Sequence, residues 1–162
     1  MKRLLLIILC SPLFGQSQDV LIKNATVLTV TKGSLENTDI LVSKGKIAKI
    51  DKNITAPANT SIIDASGKYV MPGIIDAHSH IALDVVNEAT NPVTAEVNVG
   101  DALDPLDVAI YRALAGGVTI SHAMHGSANA IGGQCETIKH RYGSVNPDDL
   151  RMAGAPKTIK FA

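Results

Sequence analysis

Asp76, His78 and His80 stand at every second position where the run Val70-Met71-Pro72-Gly73-Ile74-Ile75 gives way to polar residues. In an extended strand, residues two apart project from one face, so these three share a side while Ala77 and Ser79 take the other. Two imidazoles on one face can converge on a single ion, because neutral imidazole is the commonest protein ligand of zinc-like metals. Asp76 can orient such a ligand from behind, or can serve only as a hydrogen-bonded carboxylate of a strand. The expected chemistry is metal-assisted, with a divalent ion, zinc by preference, as cofactor. Whether one or two ions bind is left open, and a bare H-x-H also arises by chance at exposed strand ends.

The elements around this stretch must hold it at a strand terminus. From Asp19 to about Ser66 the pattern is strand and turn: Val20-Leu21-Ile22, Ala25 to Val30 and Ile40-Leu41-Val42 are β-rich, and Ser43-Lys44-Gly45-Lys46 turns the chain into Ile47 to Ile50. These runs predict a small antiparallel sheet, closed by Pro57, Asn59 and Asp64-Ala65-Ser66-Gly67. After Met71 a strand, a loop, a helix and a strand follow in order, the alternation of a parallel α/β architecture. The helix is expected to start at Asp104 as N-cap with Pro105 at the first helical position, and Asp107 adds negative charge there. Leu106, Ala109, Ile110, Ala113 and Leu114 continue at helical spacing, and Gly116-Gly117 ends the run before the strand Val118-Thr119-Ile120-Ser121. The expected domains are therefore a leader over residues 1–17, a β segment over 18–72 and an α/β segment over 73–162.

The composition narrows the partners. Lys+Arg and Asp+Glu both number 15, so no basic field exists to attract nucleic acid or an anionic membrane. With 46% hydrophobic residues but 3% aromatic and no Trp, the core must be aliphatic. Met1-Lys2-Arg3, the apolar run Leu4 to Leu9, and small Gly15 and Ser17 read as a secretory signal cleaved near Ser17, which places the mature protein in the periplasm or outside the cell. The run is far shorter than the ~20 apolar residues of a membrane span, so no stable insertion is expected after cleavage. A lipoprotein signal at Cys10 is the alternative, although Leu9 is bulky for it. If Cys10 leaves with the leader, Cys135 has no partner and the fold stands without a disulfide.

The phrase Pro72-Gly73-Ile74-Ile75-Asp76-Ala77-His78-Ser79-His80, preceded by Asp64-Ala65-Ser66-Gly67-Lys68, resembles the opening of the amidohydrolase superfamily. Gly116-Gly117-Val118-Thr119 is similar to that family's second strand, and Gly126-Ser127-Ala128-Asn129-Ala130-Ile131-Gly132-Gly133-Gln134 to its imidazolonepropionase- and prolidase-like subgroup. The resemblance implies a (β/α)8 TIM barrel with the metal at its carboxyl face, flanked by a small β-sandwich built from both chain ends. It implies His78 and His80 as metal ligands, Asp76 as a supporting residue, and hydrolysis of a C–N bond in an amide, cyclic amide or dipeptide by metal-bound hydroxide. Some members bridge two metals with a carboxylated lysine near strand four, a role open to Lys160, whose alternative is a solvent-facing side chain.

A barrel of this kind takes about 250 residues, with 200 near the lower limit. The 90 residues from Gly73 to Ala162 (162 less 72) hold only the first few βα units, roughly three at ~30 residues each. The family's later histidines and its eighth-strand Asp have no counterpart here. The expectation is an amino-terminal portion, inactive alone, of an exported metal-dependent hydrolase acting on a small molecule. A noncatalytic truncated product serving as a binding or interaction module is the alternative, and the oligomeric state is left open. His122 and His125 are expected in loop or packing roles, with substrate contact the alternative, and His140 in a solvated polar stretch. The glycines from Gly126 to Gly133 lack phosphate-loop spacing and are expected to serve tight loop geometry.

Overall fold

The computed structural model describes residues 18–162, so the expected leader over residues 1–17, with Cys10, lies outside the described residues. The chain divides between Pro72 and Gly73 into two units, taken in turn below.

In the first unit, Val20–Thr29 forms β1, Gly33–Ser43 β2, Lys46–Asp51 β3, Ser61–Asp64 β4 and Tyr69–Val70 β5. The sheet runs β3-β2-β1-β4, with β5 also along β1. The two runs expected before Val30 are one strand, because Asn24 adopts a left-handed conformation (φ 60°) and the ladder resumes beyond it with a shifted register. Lys44 and Gly45 both have positive φ, which makes a two-residue hairpin turn whose twist suits β2 and β3. The expectation of an antiparallel sheet needs correction. β1–β2 and β2–β3 are antiparallel, but β4 and β5 both pair parallel to β1, so the sheet is mixed. The segment between Asp51 and Ser61 is long enough to carry the chain back to the start of β1, where the Ser61 N–H meets the Asp19 carbonyl at 2.8 Å. Ala25, Val27, Ile40 and Ala65 form the core of this unit. Asp39 is also buried, and its carboxylate accepts from the Asn24 and Ile54 N–H groups, both at 2.9 Å.

The second unit contains β6 (Ile74–Ser79), α1 (Val108–Ala115), β7 (Val118–Ala123), β8 (Ile131–Lys139) and β9 (Thr158–Phe161), in the sheet order β6-β7-β8-β9. β6 and β7 pair parallel on either side of α1, the expected βα unit. β8 then returns antiparallel to β7, and β9 antiparallel to β8, against the expectation of continued parallel alternation. For β8 the link from Ala123 to Ile131 is shorter than the dozen or more residues of a usual parallel crossover, whereas the longer link from Lys139 to Thr158 sets no such limit on β9.

Asp107, not Asp104, caps α1: its Oδ1 accepts the Ala109 N–H at 2.8 Å. Asp104 instead closes a turn of its own by accepting the Leu106 N–H at 2.8 Å. Pro105 thus belongs to the turn before the helix. Asp107 has a further use, since its Oδ2 accepts the Ala82 N–H at 2.7 Å and ties the chain just past β6 to the helix start. Ala82, Leu103, Ile110, Ala123, Ile138 and Leu150 form the core on the helix side of the sheet. Gly73 lies so close to Thr119 that any Cβ there would overlap the threonine side chain, which gives the Pro-Gly of the motif a packing reason. Among the described residues no helix is long and apolar enough to cross a membrane.

Candidate functional site

The carboxyl end of β6 departs from simple alternation. Asp76 pairs with Ser121 and Ser79 with Ala123, so Ala77 and His78 together span the place opposite one residue, His122. That extra residue is a β-bulge, a device that re-aims side chains beside sites. Its result is clear from burial. Ser79 is buried beside core residue Ala123, whereas His78 and His80 are exposed and their rings meet edge to face, centroids 5.2 Å apart. Register places Asp76 with Ser121 and Ser79 rather than with the histidines. Its carboxylate accepts the backbone N–H of His78 at 3.1 Å, so it fixes the bulged backbone instead of touching an imidazole.

The wiring of His80 suits a ligand. Its Nδ1 lies 2.8 Å from the Met124 carbonyl, which can only accept, so Nδ1 carries the proton and Nε2 keeps a free lone pair. This is the outer-shell arrangement by which proteins orient metal-binding histidines. The His78 ring has no hydrogen-bond partner among the described residues, leaving it free as well. Two donors alone do not make a metal site, and no group of three or more His, Cys, Asp or Glu side chains able to hold an ion occurs among the described residues. Among His, Cys, Asp and Glu, the donor set described therefore fits two ligands of a metal site.

Lys160 lies on β9, at the opposite edge of the sheet from β6. Register nevertheless assigns it to the histidine face. His122 pairs with Thr137, Cys135 with Thr158 and Gly133 with Lys160, and alternation along β8 puts Gly133, Cys135 and Thr137 on one side. That side is opposite the one bearing Ala123 and Ile138 of the core. The structure thus brings His78 and His80 together and sets Lys160 on their face, three strands away, about 14 Å along a flat sheet.

The other histidines are engaged elsewhere. His125 is 1% exposed, accepts the Glu88 N–H through Nε2 at 2.8 Å and donates from Nδ1 to the Gly126 carbonyl at 2.8 Å. Both nitrogens are spent in a neutral imidazole, the packing role expected of it. Beside it, Asn129 Nδ2 reaches the Glu88 and Asn91 carbonyls and the Thr94 hydroxyl, and a Cβ at Gly132 would collide with the His125 ring. Gly126 to Ala130 therefore form a packed loop, as expected, but Gly132 and Gly133 lie in β8, so loop geometry accounts only for the first part of the stretch. The Glu88 carboxyl is held below its ordinary value, chiefly by hydrogen bonds from the side chain and backbone of Thr90.

His140 corrects the sequence reading. It is buried, not solvated, with Nδ1 3.0 Å from the Val118 carbonyl, because the antiparallel return of β8 carries it to the start of β7. Sequence reasoning also missed the buried Glu136, whose Oε2 accepts from Arg151 at 2.8 Å and Lys157 at 3.0 Å. Only the pairing of β8 with its neighbours brings those residues together. The free Cys135 is buried at this level of the sheet.

No family model matches the chain. Over 117 residues, 65% of its length, it is 39% identical to the amidohydrolase tasK of Hapsidospora irregularis, covering 12% of that protein. It is 36% identical over 94 residues to an adenine deaminase of Clostridium botulinum (strain Langeland), covering 56% of this chain and 16% of the relative. Among solved structures, an amidohydrolase from Thermotoga maritima MSB8 superposes with a TM-score of 0.74 at 44% identity, over 82% of this chain and 36% of that one. The chain thus spans less than a fifth of these curated relatives and about a third of the solved structure. The strand-end histidines, the βα unit that follows and these likenesses agree on one assignment: the chain belongs to the amidohydrolase superfamily.

Proposed function

We propose that this chain is the amino-terminal portion of a metal-dependent hydrolase of C–N bonds, with His78 and His80 as metal ligands. The observation that carries the reading is the exposed imidazole pair at the end of β6, with His80 held through Nδ1 so that Nε2 is free. C–N cleavage is the common ground of relatives named as an amidohydrolase and an adenine deaminase. The matched solved structure, also named an amidohydrolase, supports placing β6 and β7 as the opening strands of a (β/α)8 barrel.

A divalent ion held there, zinc by preference, would polarise the scissile carbonyl and bring the pKa of a water to about 7. This chain's residues do the positioning. The bulge turns His78 outward, Asp76 holds its backbone, the Met124 carbonyl sets the His80 tautomer, and Ser79 anchors the strand to the core side. Lys160, on the same face, is the candidate for a bridging ligand between two ions. The substrate class is a small amide, cyclic amide or dipeptide, in line with the imidazolonepropionase- and prolidase-like motif from Gly126 to Gln134. Export through the leader at residues 1–17, to the periplasm or beyond, belongs to the same proposal, and amino-terminal sequencing of exported protein tests it by a start near Gln18.

Elemental analysis of protein expressed from the intact reading frame tests the site. His78→Ala and His80→Ala should each lose most of the bound metal and the hydrolysis of amide substrates. Asp76→Asn keeps an acceptor for the His78 N–H and should lose at most ~10-fold in metal affinity, the low end of what supporting groups contribute. Full metal in folded His78→Ala and His80→Ala proteins would refute the proposal.

A further inference from the structure

We propose that His122 is a positioning residue that fixes the strand carrying Lys160 relative to the histidine pair. The inference rests on the reading above that Lys160 belongs to the metal site.

Both ring nitrogens of His122 are used. Nδ1 lies 2.9 Å from the Thr137 hydroxyl on β8, and Nε2 lies 2.8 Å from the Thr158 hydroxyl on β9. A neutral imidazole has one donor and one acceptor, while a threonine hydroxyl can be either, so each tautomer satisfies both contacts by rotating the two hydroxyls. With no free nitrogen His122 is not itself a ligand. The His122 side chain and its hydrogen bond to Thr158 together link β7 to β9, two strand spacings or about 9.6 Å apart, so the ring leans over β8 instead of standing upright. Across β8 from His122, Cys135 and Thr137 are small enough to leave room for that path.

Both ends of this link are informative. On its β6 side, His122 is the single residue opposite the Ala77–His78 bulge. On its far side, Thr158 precedes Lys160 by two residues, and so shares its face. β9 is a four-residue edge strand whose ladder to β8 is irregular between Ile131 and Gly133. Among the described residues, the bond from His122 to Thr158 is the one side-chain hydrogen bond that reaches β9 from beyond β8. A lateral tether from the strand beside His78 to the strand of Lys160 sets the span that two bridged ions would have to match.

The test measures zinc binding by equilibrium dialysis, with bicarbonate present, on protein from the intact reading frame and its variants. Lys160→Ala defines the lysine-dependent part of binding. His122→Phe, which keeps the ring shape, and the near-isosteric Thr158→Val should each weaken that part by about 10-fold or more, the scale of supporting groups around a metal. Both should keep the remaining ion and a melting temperature close to that of the parent protein. His122→Gln, able to donate to Thr158, should recover part of the loss. If His122→Phe fails to fold, Thr158→Val still decides. Parent-like zinc binding in the folded variants, with loss confined to Lys160→Ala, overturns the inference and leaves the metal-site reading standing. Unchanged binding in Lys160→Ala itself overturns the bridging role and this inference together, while loss in His78→Ala would still uphold the histidine pair.

Discussion

The end of β6 and the loop after β7 each hold histidine, and the two regions use it in opposite ways. His78 and His80 are exposed, touch each other and leave ring nitrogens free. His125, one residue past the carbonyl that orients His80, is buried and has both nitrogens committed to backbone groups. The difference teaches that a histidine's capacity for chemistry is set by its unspent nitrogens, not by its proximity to a site. His122 illustrates the same point, since it shares the site face yet is fully engaged by two threonines.

The largest effect should come from breaking one side of this contrast. His78→Ala or His80→Ala should abolish most metal binding with little change in thermal stability, because an exposed ring contributes little packing. His125→Ala should do the reverse. It removes a buried ring and leaves the Glu88 N–H and Gly126 carbonyl without their partner, a loss of about 2–4 kcal/mol. Denaturant unfolding monitored beside metal content separates the two, and metal loss in a still-folded His125→Ala protein would break the distinction.

A smaller effect sharpens the alternation argument. Ser79 lies between the two histidines in sequence but is buried opposite Ala123, so Ser79→Ala should bind metal normally and change stability by no more than about 1 kcal/mol. The smallest effect concerns pH. The Glu88 carboxyl is held below its ordinary value when folded, chiefly by Thr90. Its contribution is therefore present above the unfolded value and is lost as pH falls through the lower folded one. Hydrogen exchange at the Thr90 amide should quicken relative to the core once pH drops below the carboxylate range. A Glu88→Gln variant should lose that dependence, and an identical profile in both proteins would exclude the mechanism.

Local features of the fold were legible because their causes are local. The Lys44-Gly45 turn, the helix between Asp104 and Gly116 and the strand from Val118 all follow from residue preferences within a few positions. The helix start was misread by three residues, since Asp104 and Asp107 can each cap and only the second also meets the Ala82 N–H. Parallel pairing of β4 with β1 carried no local signal, because direction depends on where the connecting segment returns the chain.

By itself the sequence determined that two histidines two apart would end a strand, that a helix would follow, and that the core would be aliphatic. Periodicity and composition are enough for that. Tertiary structure alone decided that a bulge would separate Asp76 from the histidine face, that β8 would run back and bury His140, and that His122 would reach over a strand to Thr158. Each of those outcomes depends on register between strands distant in sequence, where one inserted residue changes which side chains meet.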